Sequence, residues 1–180
     1  MSTVHSFIEP SVFESSRCIT QSRRAIIADQ PTVLTDIYQK EANIIIWQRQ
    51  LTEQLALAAQ YILQKKPTLQ VSFTATADSV YDAITEAVGD TQQTRALRDD
   101  ISLLVDMFCC LFDLKRVGLR LNALNRAMCP RFHVDRVPCR LVTTYQGIAT
   151  QWLPHNLVDR SKLGAGSLGK SDEESAIYQH

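Results

Sequence analysis

The spacing of apolar residues changes near residue 115, and that change limits the fold more than any other feature of the chain. Upstream, Leu51, Leu55, Ala58, Ala59 and Ile62 form one set at three- and four-residue spacing. Leu97, Ile101, Leu104, Phe108 and Leu111 form another, with Val105 and Phe112 beside it. Such spacing gathers side chains on one face of a helix. Downstream, Val117-Gly-Leu-Arg-Leu and Phe132-His-Val-Asp-Arg-Val alternate apolar with polar, and Arg140-Leu-Val-Thr-Thr-Tyr is rich in β-branched residues. These are strand patterns. Helices followed by strands predict an α+β protein with mainly antiparallel pairing.

The predicted helices have recognisable ends. The first runs from Leu51 to Lys65 and stops at Pro67. The second runs from Asp78, as cap, to Val88 and stops at Gly89. The third opens at Asp90, with Gln93 completing a variant capping box, and ends near Leu114. Asn43 to Trp47 (NIIIW) reads as a buried strand, and Val71 to Thr76 as another. Residues 1–34, with Pro10 and Pro31, are expected to form an irregular arm. Residues 35–116 would be mainly helical with short strands. Residues 117–180 would be β-rich, ending in a loop with Gly164, Gly166 and Gly169 and then acidic Asp172, Glu173 and Glu174.

Composition narrows the function classes. A chain of 180 residues buries roughly 70% of its unfolded surface and needs no staple to hold a core. Lys+Arg and Asp+Glu are both 19, so no net field draws the chain to nucleic acid or anionic lipid. Ile101 to Phe112, the most apolar run, is broken by Asp106 and is well short of the roughly 20 residues of a membrane span. The start, MSTVHSFIEPSVFESS, has no secretory-signal pattern. Five cysteines, two of them adjacent, make a poor disulfide framework, so reduced thiols in a cytoplasm are expected.

The segment richest in chemistry is Cys129-Pro-Arg-Phe-His-Val-Asp-Arg-Val-Pro-Cys-Arg-Leu-Val-Thr-Thr-Tyr. On a strand, His133 and Asp135 project from one face while Phe132 and Val134 are buried on the other. An imidazole and a carboxylate so placed can share a metal ion. With one more His they would form the facial triad of non-haem Fe(II) oxygenases, which keeps coordination positions open. Two other readings stand beside this one. Asp135 can simply pair with Arg131, Arg136 or Arg140. Alternatively, Cys129, His133, Asp135 and Cys139 can be combined into a zinc site. Trp47, Trp152, Cys109 and Cys110 read as packing residues, and GAGSLG (164–169) lacks the flanking strand and helix of a phosphate loop.

CPRFHVDRVPCRLVTTYQGIATQWLPHNLVDRSKLGAGSLGKSDEESAIYQ, together with the upstream ANIIIWQRQL, resembles a bacterial domain-of-unknown-function family, number 1826, over about residues 40 to 179. Members of that family are often encoded near zinc-homeostasis genes. The same block resembles, more distantly, the first half of a prolyl-hydroxylase-like Fe(II)/2-oxoglutarate dioxygenase. That likeness implies helices packed on an incomplete double-stranded β-helix (a jelly roll). His133 and Asp135 would be metal ligands. Arg140, Thr144 and Tyr145 would bind the 2-oxoglutarate co-substrate, with Arg140 matching its carboxylate as a fork. Both likenesses imply a further His on a later strand. His155, 22 residues after His133, and the terminal His180 are the candidates within the chain. The alternative is a fragment whose third ligand lies beyond residue 180. Unpaired strand edges in such a fragment would favour a homodimer. The resemblance therefore implies an Fe(II)/2-oxoglutarate-dependent protein of unknown small-molecule or protein substrate. The alternative is a non-catalytic metal or small-ligand binder, with zinc as the other metal.

Overall fold

A computed structural model describes residues 23–178. The protein mixes helix and sheet, as expected, but the elements interleave instead of falling into two blocks. In chain order they are β1 (Arg24–Ala28), a 3-10 helix (Pro31–Tyr38), β2 (Ala42–Trp47), α1 (Glu53–Lys65), β3 (Gln70–Ala75), α2 (Val80–Val88), α3 (Gln92–Phe112) and β4 (Val117–Asn122). Three short 3-10 turns follow, at His155–Leu157, Arg160–Lys162 and Gly164–Ser167.

β3 and β4 pair antiparallel, with Val71 opposite Leu121, Phe73 opposite Leu119 and Ala75 opposite Val117. These six alternate residues all pack on the core, while Ser72 and Thr74 fall on the other face by strand periodicity. The helices cover the core face. Leu55, Ala58 and Ile62 of α1, Val80, Ile84 and Val88 of α2, and Leu97, Ile101, Val105 and Cys109 of α3 make one apolar cluster. The inward face of α1 is thus the one its spacing implies.

The helix ends differ from expectation by a residue or two. Thr52 caps α1 by accepting the Leu55 N–H at 3.2 Å. The cap residue of α2 is Ser79 rather than Asp78, and its hydroxyl accepts the Thr76 N–H at 3.0 Å. Gly89 ends α2 at φ +97°, a conformation that costs any other residue steric strain. Thr91, not Asp90, precedes α3, and its N–H reaches the Thr94 hydroxyl at 3.3 Å. Asp90 is engaged elsewhere, 2.9 Å from the buried guanidinium of Arg98. That guanidinium also donates to the Thr85 hydroxyl at 3.0 Å and lies over the Tyr81 ring, tying α2 to α3.

Several strand expectations need correction. Residues 23–34 are not an irregular arm, because Arg24–Ala28 pairs parallel with β2, from Ala25↔Ile44 to Ala28↔Trp47. Residues 1–22 lie outside the described residues. β2 is only half-buried along its length, because its sheet has two strands, whereas parallel strands are usually covered on both faces. Phe132–Val137 and Arg140–Tyr145 form no regular strands. Pro130 and Pro138 lack the N–H that a ladder requires, and an alternating pattern makes a strand only where a neighbour supplies partners. Beyond β4, regular pairing among the described residues is limited to the antiparallel bridge between Val158 and Tyr178. Neither sheet has more than two strands and neither closes, so the described residues do not form the expected jelly roll. No helix among them is long and apolar enough to cross a membrane.

Candidate functional site

His133 and Asp135 stand side by side although their segment is not a regular strand. The His133 Nε2 lies 3.4 Å from Asp135 Oδ1. On the other side of the ring, Nδ1 lies 3.0 Å from the carbonyl oxygen of Arg131. A carbonyl can only accept, so this contact calls for a hydrogen on Nδ1, and in that tautomer Nε2 offers a lone pair beside Asp135 where a cation can bridge the two.

Arg140 joins the pair, its Nη1 3.1 Å from the same Asp135 oxygen. The simple ion-pair reading of Asp135 is therefore also present, with Arg140 as the partner. All three side chains are partly exposed, at 46%, 36% and 51%, so the cluster contributes under about 1 kcal/mol to stability. The other face of the segment departs from expectation. Phe132 is half-buried, but Val134 is exposed, because no sheet lies beneath it.

The remaining candidates lie elsewhere. Tyr145 is packed against the core and donates its hydroxyl to Asp100 Oδ2 at 2.8 Å. Asp100, on α3, is also gripped by Arg49, with Nη1 2.6 Å from Oδ1 and Nη2 2.9 Å from Oδ2. Arg49 also donates to the hydroxyl of Thr143 at 3.1 Å and lies over the rings of Trp47 and Tyr145. It is Thr143, not Thr144, that enters this network, and Thr144 is half-buried one position away. An open cleft of about 340 Å³ adjoins it, bordered by Gln50, Thr52, Ala96, Asp99 and Leu103. His155 lies in the turn at His155–Leu157, with a buried Nδ1 that has no protein partner. Burial holds its imidazole below the usual range, and the charges of Arg160 and Arg23 add to the effect. His180 lies outside the described residues. Among those residues no three His, Cys, Asp or Glu side chains come within reach of one metal ion. The Cys129–His133–Asp135–Cys139 combination is therefore not assembled, and all four described cysteines are free thiols. Cys109 is buried as expected, whereas Cys110 is exposed.

The network of Arg49, Asp100, Thr143 and Tyr145 escaped the sequence reading, yet it left a trace. Asp100 is three residues after Leu97 and four before Leu104, so it interrupts the apolar face of α3. A charge on that face requires a partner. The partner comes from the loop after β2, and the hydroxyls come from residues 143 and 145. The ANIIIWQRQL and CRLVTTY blocks, far apart in sequence, thus meet across α3.

Residues 28–179 match the family described as Protein of unknown function (DUF1826). This chain belongs to that family. The match covers both blocks joined by the Arg49–Asp100–Tyr145 network. No curated protein and no solved structure matches the DUF1826 chain.

The network has a pH signature. Burial, reinforced by the negative charge of Asp100, pushes the Tyr145 phenol well above its usual range. The folded state thus holds a proton that the unfolded chain releases above pH about 10. Stability from this group is complete below pH about 10 and falls as pH rises further. Tyr145→Phe is expected to flatten the alkaline limb of a pH–stability curve measured by urea unfolding. An unchanged limb would place Tyr145 in contact with water.

Proposed function

We propose that this DUF1826 protein binds a divalent metal ion through His133 Nε2 and Asp135, in the manner of the first two ligands of Fe(II)/2-oxoglutarate dioxygenases. The observation that carries the reading is the orientation of His133. Its Nδ1–H is fixed on a backbone carbonyl at 3.0 Å, the usual support of a metal-binding imidazole, and its free lone pair is aimed at a carboxylate. The donors fit one ion. Two ligands at roughly 2.1 Å from one ion lie about 3.0 Å apart in octahedral and about 3.4 Å apart in tetrahedral geometry, and the separation here is 3.4 Å.

Fe(II) with 2-oxoglutarate would supply oxidising chemistry toward a small-molecule or protein substrate. The chain's own groups would do the rest. Arg140, now 3.1 Å from Asp135 Oδ1, would hold a carboxylate of the co-substrate were His133 and Asp135 to hold the ion. Thr144, four residues on, belongs to the same proposal, and Tyr145 would join it only by giving up its hydrogen bond to Asp100. So does the finer fold reading, in which residues 117–178 correspond to part of a double-stranded β-helix. Its support is the antiparallel strand β4 and the Val158–Tyr178 bridge. Free cysteines suit a cytoplasmic setting. Zero net charge argues against nucleic acid, and the open edges of two-stranded sheets suit a homodimer.

A second reading is a non-catalytic zinc binder. The near-tetrahedral separation of the two donors favours it. Anaerobic titration separates the two. Fe(II) binding that tightens with 2-oxoglutarate, with succinate formed, supports the oxygenase. Zn(II) binding without succinate supports the binder. In both, His133→Ala is expected to weaken metal binding at least 100-fold. Equal affinity in wild type and variant would end the proposal.

A further inference from the structure

The loop that aims His133 is held by a residue about 40 positions away. The Asp172 carboxylate spans two groups of that loop. Its Oδ2 accepts the Phe132 N–H at 2.7 Å, and its Oδ1 accepts from Arg131 Nε at 3.3 Å. Arg131 Nη2 also donates to the Lys170 carbonyl. The Arg131 carbonyl in turn accepts the His133 Nδ1–H. The contacts run unbroken from Asp172 through the Arg131–Phe132 backbone to the imidazole.

The segment that carries Asp172 is itself fastened. Ile177 is fully buried, and its carbonyl accepts the Asp159 N–H at 2.7 Å. Tyr178 pairs with Val158. Ser171 and Glu174 cap each other, with the Ser171 N–H on Glu174 at 2.9 Å and the Glu174 N–H on Ser171 at 3.1 Å. Gly166 lets the preceding turn close, since a Cβ there would overlap the Ser161 carbonyl oxygen. Asp172 is thus presented by an ordered clasp, and its side chain is only 16% exposed.

We infer that Asp172 is the positioning residue of the metal pair, and that docking of the 170–178 clasp and binding of a divalent cation at His133 and Asp135 strengthen each other. The inference rests on the metal reading above. Asp172 touches no metal-facing atom. It acts by fixing the backbone that selects the His133 tautomer and points Nε2 at Asp135. Linkage then requires the reverse effect: a bound cation holds the clasp down.

Two measurements on the full chain test this separately from the metal reading. The first is ¹⁵N spectroscopy of the metal-free His133 ring. Wild type is expected to show the Nδ1–H tautomer, Asp172→Ala a mixture, and Asp172→Asn the wild-type form, because an amide oxygen still accepts the Phe132 N–H. The second is Co(II) titration by visible absorption. Asp172→Ala is expected to weaken Co(II) roughly 10- to 100-fold, the usual range for a residue that supports a ligand. Glu173→Gln, on the same clasp, is expected to leave affinity unchanged. Saturating Co(II) should also slow hydrogen exchange at the Ile177 amide in wild type but not in Asp172→Ala. If wild type fails to bind Co(II), or His133→Ala binds it equally well, the metal reading falls while the tautomer result still reports on positioning. If Asp172→Ala keeps both the wild-type tautomer and the wild-type Co(II) affinity, the positioning role is overturned.

Discussion

Asp100→Ala is expected to cost about 3–5 kcal/mol of unfolding free energy, because it leaves the Arg49 guanidinium in a largely buried setting without its carboxylate. The side chains are only 15% and 14% exposed and meet through two parallel hydrogen bonds. Tyr145 loses its acceptor in the same change, and Arg49, which donates to Thr143, loses the carboxylate that orients it. The loss therefore falls on the contact between the helical core and the 143–145 segment. A double replacement, Arg49→Met with Asp100→Leu, is expected to recover much of the stability, since it removes both charges together. Urea unfolding of the two single variants and the double variant gives the coupling energy directly. A single-variant cost below about 1 kcal/mol would mean that the pair behaves as a solvated surface bridge.

Ile84→Ala is the second large effect, with an expected loss of about 3 kcal/mol from the missing methylenes and the cavity they leave. Ile84 is fully buried on α2 and belongs to the cluster formed with α1, α3 and the β3–β4 sheet. Leu57 on α1 is 56% exposed, and Leu57→Ala should stay within about 0.5 kcal/mol. Thermal or urea unfolding of the pair checks the packing of the whole helical layer. Comparable losses in both variants would mean that α1 and α2 present other faces to the core.

The helices were the most legible part of the chain because each carries its own signal. Leu55, Ala58, Ala59 and Ile62 lie on one face whatever the rest of the molecule does, and all four are buried. The pairing of β3 with β4 was half legible. Alternation marked both strands, but only chain folding could set Phe73 opposite Leu119. The expected strands at 132–137 and 140–145 show the limit. Phe132–Val137 alternates as β4 does and Arg140–Tyr145 is rich in β-branched residues, yet a strand is a relation between two segments, and no ladder forms at either. β1 was missed for the same reason in reverse. Its five residues became a strand by pairing with β2.

The candidate site divides in the same way. His133 and Asp135 are close because two residues of spacing in an extended chain is a local distance, and local distances are written in the sequence. Arg140, five residues after Asp135, is near enough to join them. The partners of Asp100, and the hold of Asp172 on the Phe132 N–H, come from positions about 40 to 50 residues away. Local chemistry and periodicity determined which faces are apolar and which acids and bases are neighbours. The tertiary structure alone decided which buried charge meets which counter-charge, since that choice depends on how distant segments close upon one another.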